Sequence, residues 1–230
     1  GEAGLAHGLV LPPTVAPIQV VVTPIWKSDA EKESTLAFAR KVKDALHPAV
    51  RVVLDERDGV KPGAKYFEWE RKGVPLRLEI GPRDVANNAV FAASRTGGKK
   101  FGMPFDGLLA AVQQKLADIQ TELYDRALAR RTESTHRVSS YDELKERIEA
   151  GGLFLVPWHD DADWEARIKE ETRATIRCYP IEGQDEAVGT PVNRPPSTNC
   201  PRRCARSAKP QKAVLNRARG ALHLKVVSGL

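Results

Sequence analysis

Residues 18–57 hold a β-branched run, an amphipathic stretch and a second β-branched run, and that order constrains the fold more than any other feature of the chain. "IQVVVTPI" (18–25) reads as a short strand buried on both faces. Asp29 is placed to cap a helix over 30–47, with Leu36, Ala39, Val42, Lys43 and Leu46 near helical spacing and Pro48 ending it. "VRVVLDER" (50–57) reads as a second strand. Strand, helix and strand in about 40 residues make a βαβ-like unit, so a parallel pair and an α/β first part are expected. With 230 residues and 41% apolar side chains it can bury a core, as one large domain or two small ones.

Residues 1–17, rich in Pro and Gly, read as an extended entry segment rather than a packed element. "KPGAKYFEWERKG" (61–73) opens on Pro-Gly and closes on Gly73, the punctuation of a short helix. "VPLRLEIGPRD" (74–84) alternates Leu76, Leu78 and Ile80 with Arg77 and Glu79, a half-buried strand, and 88–100 reads as another strand running into Gly97-Gly98. A long amphipathic helix over 106–130 carries Leu108, Leu109, Val112, Leu116, Ile119, Leu123 and Ala127 and closes this first domain, 18–130. A second small α/β domain is expected over 135–186. Ser140 and Glu143 form a capping box for a helix over 141–150, "LFLVPW" is a strand, Asp161 or Asp163 opens a helix to about 172, and "ATIRCYP" is a last strand. From 187 to 230 no periodicity is visible, and an irregular basic tail is expected.

Net charge is +6, but the tail supplies it: residues 187–230 hold nine Lys/Arg and no Asp or Glu, leaving 27 basic and 30 acidic residues before them, a net of −3. Nucleic-acid binding by the body must therefore rest on local chemistry rather than on the overall charge. No run approaches a membrane span, and the start lacks the charged and apolar regions of a secretory signal. Three cysteines (Cys178, Cys200, Cys204) make no disulfide scaffold and suggest a reducing, cytoplasmic setting. There is no GxSxG, Walker A, HExxH or GxGxxG motif, and the five histidines are scattered.

The dense stretch is 57–84, where basic and acidic residues interleave with Tyr66, Phe67 and Trp69. A solvated amphipathic helix beside a half-buried strand accounts for it on composition alone. Its other reading is recognition of unstacked bases: aromatic faces stack bases, Arg makes paired hydrogen bonds to guanine O6 and N7, and a carboxylate accepts from guanine N1–H and the 2-amino group.

"GLVLPPTVAPIQVVV", "KPGAKYFEWERKGVPLRLEIGPRD" and "IKEETRATIRCYP" resemble, in order and over about residues 8–186, the C-terminal half of prolyl-tRNA synthetases of the archaeal/eukaryote-like type. The resemblance implies a class II anticodon-binding domain, a mixed sheet flanked by helices, followed by a small α/β domain that binds zinc in some members. It implies that proline tRNA is the partner, with the two guanines shared by its anticodons read by Glu70, Arg77 and Arg83 and a base stacked on Tyr66. Lys65 and Lys72 are the expected phosphate contacts, and Trp69 and Leu78 are assigned to the core.

Three departures qualify the resemblance. The family's catalytic motifs, with their sites for ATP, Mg and proline, have no counterpart here, so residues 1–17 are expected to be a linker from a catalytic domain and the chain alone to catalyse nothing. Family dimers form largely through that domain, so this chain by itself is compatible with a monomer. His159 and Trp164 stand where zinc-binding members place two cysteines, so neither zinc nor any other cofactor is expected in this chain. The second domain should then rest on apolar contacts including Phe154, Val156, Trp158, Trp164 and Ile176. Finally, the switch in composition after 187 suggests a shift of reading frame. A free-standing RNA-binding module, or an inert α/β fragment, are the competing readings.

Overall fold

The computed structural model describes residues 9–158 and 162–180 together with the backbone of a strand at 211–217. Two compact units are present, Gly1–Ala127 and Leu128–Leu230.

The first unit contains β1 (Val20–Pro24), α1 (Asp29–Leu46), β2 (Val52–Leu54), α2 (Pro62–Arg71), β3 (Leu76–Ile80), α3 (Pro82–Ala86), β4 (Ala89–Ser94), β5 (Phe101–Pro104) and the long helix α4 (Leu108–Glu133), whose final residues begin the second unit. Its sheet runs β2-β1-β3-β4-β5. β1 pairs in parallel with β2 and β3, as expected of the strand–helix–strand order, while β4 and β5 add antiparallel. Both faces of β1 are covered. Val20 and Val22 join Leu76, Leu78, Ile80, Val90 and Ala92 under α1 and α4, and Val21 packs with Trp69 and Val74 on the opposite side. Each such side chain contributes roughly 1.5–3 kcal/mol when fully buried.

Three sequence expectations change here. Ser28, in extended conformation, is the N-cap of α1, and Asp29 is its first helical residue, where its charge favours the helix N-terminus instead. α1 buries Thr35 and Phe38 as well as Ala39, Val42 and Leu46. The entry segment is packed: Pro13 and Ala16 are buried, and the Arg51 guanidinium donates to the carbonyls of Ala16 (2.9 Å), Pro13 (2.9 Å) and Thr14 (3.2 Å). An irregular backbone can be packed when one side chain satisfies its carbonyls in this way.

The second unit contains β6 (Thr135–Arg137), α5 (Tyr141–Ile148), β7 (Leu153–Trp158), α6 (Ala162–Thr172), β8 (Ala174–Cys178) and β9 (Gln211–Arg217), in a sheet ordered β6-β7-β9-β8. Ser140 Oγ accepts from the Glu143 N–H at 3.2 Å, and the Glu143 carboxylate answers by accepting from the Ser139 N–H at 2.9 Å, one residue before the cap. Phe154, Val156 and Trp158 are buried with Leu144, Ile148 and Ile168, and Ile176 packs against them. Trp164 does not join that cluster; it is half-buried with the Arg167 guanidinium over its ring at 4.8 Å. β8 is not the last strand either. β9 lies within the stretch expected to be irregular and pairs antiparallel with both β7 and β8. His159, Asp161, Cys200 and Cys204 lie outside the described residues.

Candidate nucleic-acid interface

α2 begins at Pro62, whose fixed φ suits a first helical turn, and gives way at Gly73 (φ 77°), which turns the chain directly into β3. Trp69 anchors the helix against Val21 and Val74, and its indole N–H donates to Asp55 Oδ2 at 2.7 Å. Lys65 lies one turn earlier on the same face. It is only 3% exposed, with Nζ donating to the Asp55 carbonyl at 3.2 Å and lying 3.8 Å from the Asp55 carboxylate. Arg57 closes the other side of that carboxylate, at 2.9 Å to Oδ1 and 2.7 Å to Oδ2. Burial by itself would raise the Asp55 pKa. The hydrogen bonds from Arg57 and Trp69 outweigh it and hold the carboxyl well below the usual range, while burial lowers that of Lys65. Lys65 is thus enclosed against Asp55, and reaching a phosphate would break this pair.

Tyr66 and Glu70, four residues apart, face β3, where Arg77 and Glu79 share the side of the strand opposite the Leu76–Leu78–Ile80 core. Arg77 Nη1 donates to Glu70 Oε1 at 2.9 Å and Nε to Glu79 Oε1 at 3.0 Å. The guanidinium lies on the Tyr66 ring, its Cζ 4.0 Å from the ring centroid. Lys100, from the connection between β4 and β5, closes on Glu79 at 2.7 Å and stands 5.4 Å from the same ring. Burial, with the Glu79 charge nearby, pushes the Tyr66 phenol well above its ordinary value of 10.0, so it stays neutral and a hydrogen-bond donor at physiological pH.

The fold thus brings Tyr66, Glu70 and Arg77 together and adds Glu79 and Lys100, which sequence reading had not assigned to the site. One face of Tyr66, expected to stack a base, is covered by Arg77. Arg83 sits apart on α3, exposed and with no side-chain partner among the described residues. Lys72 is half-exposed, held by Glu68 at 2.7 Å and lying over the Trp69 ring at 4.3 Å.

Chemically, the cluster offers a hydrogen-bond acceptor and a donor side by side. Glu70 Oε2 is an acceptor and Arg77 Nη2 a donor, neither engaged among the described residues. Mutual pairing fixes both groups in place before any ligand arrives, which lowers the ordering cost of binding. No helix among the described residues is long and apolar enough to cross a membrane, and no three His, Cys, Asp or Glu side chains among them are grouped to hold a metal.

Comparison with known proteins follows this division. Residues 19–115 match the anticodon binding domain family and residues 141–219 the family described as prolyl-tRNA synthetase, C-terminal. The second match extends past residue 187 and takes in β9. The chain is 51% identical over 183 residues to a chloroplastic/mitochondrial proline–tRNA ligase of Arabidopsis thaliana, covering 76% of this chain and 34% of that protein. It is 48% identical over 187 residues to a proline–tRNA ligase of Chloroflexus aurantiacus, covering 80% of this chain and 38% of that one. It thus spans little more than a third of the curated relatives it matches. A crystal structure of prolyl-tRNA synthetase from Cryptosporidium parvum, complexed with L-proline and AMP, superposes with a TM-score of 0.77 at 31% identity over 92% of this chain and 43% of that one. The chain carries an anticodon-binding domain and a C-terminal domain of the prolyl-tRNA synthetase family.

Proposed function

We propose that this chain binds proline tRNA by its anticodon loop and reads the two guanines shared by proline anticodons. The observation that carries the reading is the Glu70–Arg77 pair seated on Tyr66. A carboxylate accepts from guanine N1–H and the 2-amino group and a guanidinium donates to O6 and N7, and the unengaged oxygen and nitrogen of this pair are where such contacts would begin. Tyr66 serves chiefly to hold the guanidinium flat, Arg83 offers a second guanidinium at the exposed end of β3, and Lys72 takes a backbone phosphate. In the longer proteins this binding positions the tRNA while ATP and Mg drive attachment of proline elsewhere. Dimerisation, in this reading, also belongs to that other part, and the setting is the cytoplasm. This chain alone binds as a monomer and does not aminoacylate.

The test is binding of a proline-tRNA anticodon stem-loop at two salt concentrations, against a loop with both guanines changed to adenine. Each lost guanine should weaken binding by roughly 1–3 kcal/mol. Arg77→Lys, which keeps the charge and loses the planar fork, should abolish the discrimination. Equal affinity for the two loops, collapsing together as salt rises, would overturn the reading and leave only phosphate attraction.

A further inference from the structure

Beside the Arg77 cluster, the face of the first sheet continues onto β4 and β5, where Phe91 and Gly102 are exposed. The strand registers place Phe91 directly across from Glu79 on one side and Gly102 on the other. Cross-strand neighbours on one face lie about 5 Å apart, so the Phe91 ring stands next to the carboxylate that Arg77 and Lys100 share. Phe91 is 39% exposed, although its strand neighbours Val90 and Ala92 are fully buried on the other face. The residues two positions along on its own face are Ala89 and Ala93, too small to cover it.

Gly102 completes the shape. A Cβ there would meet nothing within 4 Å, and its backbone is not in the left-handed region, so neither strain nor crowding calls for glycine. What its missing side chain leaves is open space along the flank of an exposed aromatic ring. The charge around that space is mixed but not repulsive to a nucleic-acid strand: Glu79 is paired twice, and Lys99 and Lys100 are both exposed in the connection between β4 and β5.

We propose that Phe91 is a stacking platform for one further unpaired nucleobase of the bound RNA, with the space above Gly102 admitting the base and Lys99 attracting its phosphate. This rests on the reading that RNA binds at the Arg77 cluster, and it adds a contact of a different kind. An aromatic face stacks any base, so this position contributes affinity without sequence preference, whereas Glu70 and Arg77 supply the discrimination.

The experiment measures the authentic anticodon stem-loop and the loop with both guanines changed to adenine, at low salt where both bind, against the full chain and its variants. Phe91→Ala should weaken both loops about tenfold, Phe91→Trp should retain binding, and Gly102→Leu, which fills the space, should weaken both loops as Phe91→Ala does. Circular dichroism of each variant should match the parent, since Phe91 is exposed and the Gly102 Cβ position is free. Parental affinity of Phe91→Ala for either loop would overturn the proposal, as would unimpaired binding by Gly102→Leu. Failure of the anticodon reading shows separately, as equal affinity of the parent chain for the two loops.

Discussion

At the scale of single residues, the most consequential finding is a charge that faces inward. Asp55 is held between Arg57, Trp69 and the buried Lys65, and its depressed pKa makes the first unit's stability depend on pH. The folded state keeps this carboxyl ionised below its ordinary value of 3.8, so the unfolded chain takes up the proton first as pH falls. The stabilisation is complete above that value and is lost progressively as pH drops below it toward the folded pKa. Asp55→Asn should lose about 3–5 kcal/mol at neutral pH, because the Lys65 ammonium is left buried without its counter-charge, and should flatten the acid limb of a urea-denaturation series. Lys65→Met should leave stem-loop affinity unchanged, which separates a structural cation from a phosphate contact. The inward position of Lys65 was legible: once Trp69 is assigned to the core, a residue four positions earlier on the helix shares its face. Phe91 was legible in the same way, as the outward member of the Val90–Phe91–Ala92 alternation. Glu79 and Lys100 were harder to find, because their joining depends on strand register and on a loop 21 residues away.

At the scale of elements, α2 and β3 form one unit whose geometry is set at Gly73. Its φ of 77° belongs to the left-handed region, and a Cβ there would come within 2.8 Å of Leu11 Cγ and 3.0 Å of Leu9 Cγ. The Leu11 N–H also donates to the Gly73 carbonyl at 3.3 Å, so the entry segment is built against this glycine. Gly73→Ala should destabilise the first unit by about 1–2 kcal/mol from backbone strain alone, read as a lowered urea midpoint with unchanged slope. Because the turn also aims α2 at β3, the same variant should weaken stem-loop binding by separating Glu70 from Arg77. The major elements showed in the sequence wherever they bury a regular apolar face: β1, α1, β3, α4 and β7 lie close to where their patterns put them. β5, α3 and β9 did not show. "FGMP" is a four-residue strand of low intrinsic propensity, α3 is a single turn, and "QKAVLNR" has a short apolar centre in an otherwise polar stretch. Such segments take their structure from partners already in place, which no local pattern records.

At the scale of the whole molecule, the two units differ in how their sheets are completed. The first sheet is assembled from strands within 20–104, and the residues of the Arg77 cluster come from the same stretch of chain. The second cannot be completed without residues that follow a long interval in the chain. β8 pairs with β9 alone among the described strands, and β7 otherwise keeps only the three-residue β6. Removing β9 therefore strips β8 of every inter-strand hydrogen bond and turns one side of β7 into an open edge beside a core that includes Phe154, Val156 and Trp158. A chain ended at residue 210 should lose native amide-exchange protection at Val156 and Ile176 while Val22, Leu78 and Val90 stay protected, because the latter strands contain all of their partners. Anticodon stem-loop binding should survive the truncation in its guanine preference, since Tyr66, Glu70, Arg77 and Phe91 are untouched. Its salt dependence should become shallower in step with the basic residues removed, Lys212, Arg217, Arg219 and Lys225. Protection persisting at Val156 would mean that β9 is dispensable to the second sheet. Loss of guanine preference would mean that the second unit takes part in reading, and the anticodon contacts would then have to be sought in both units.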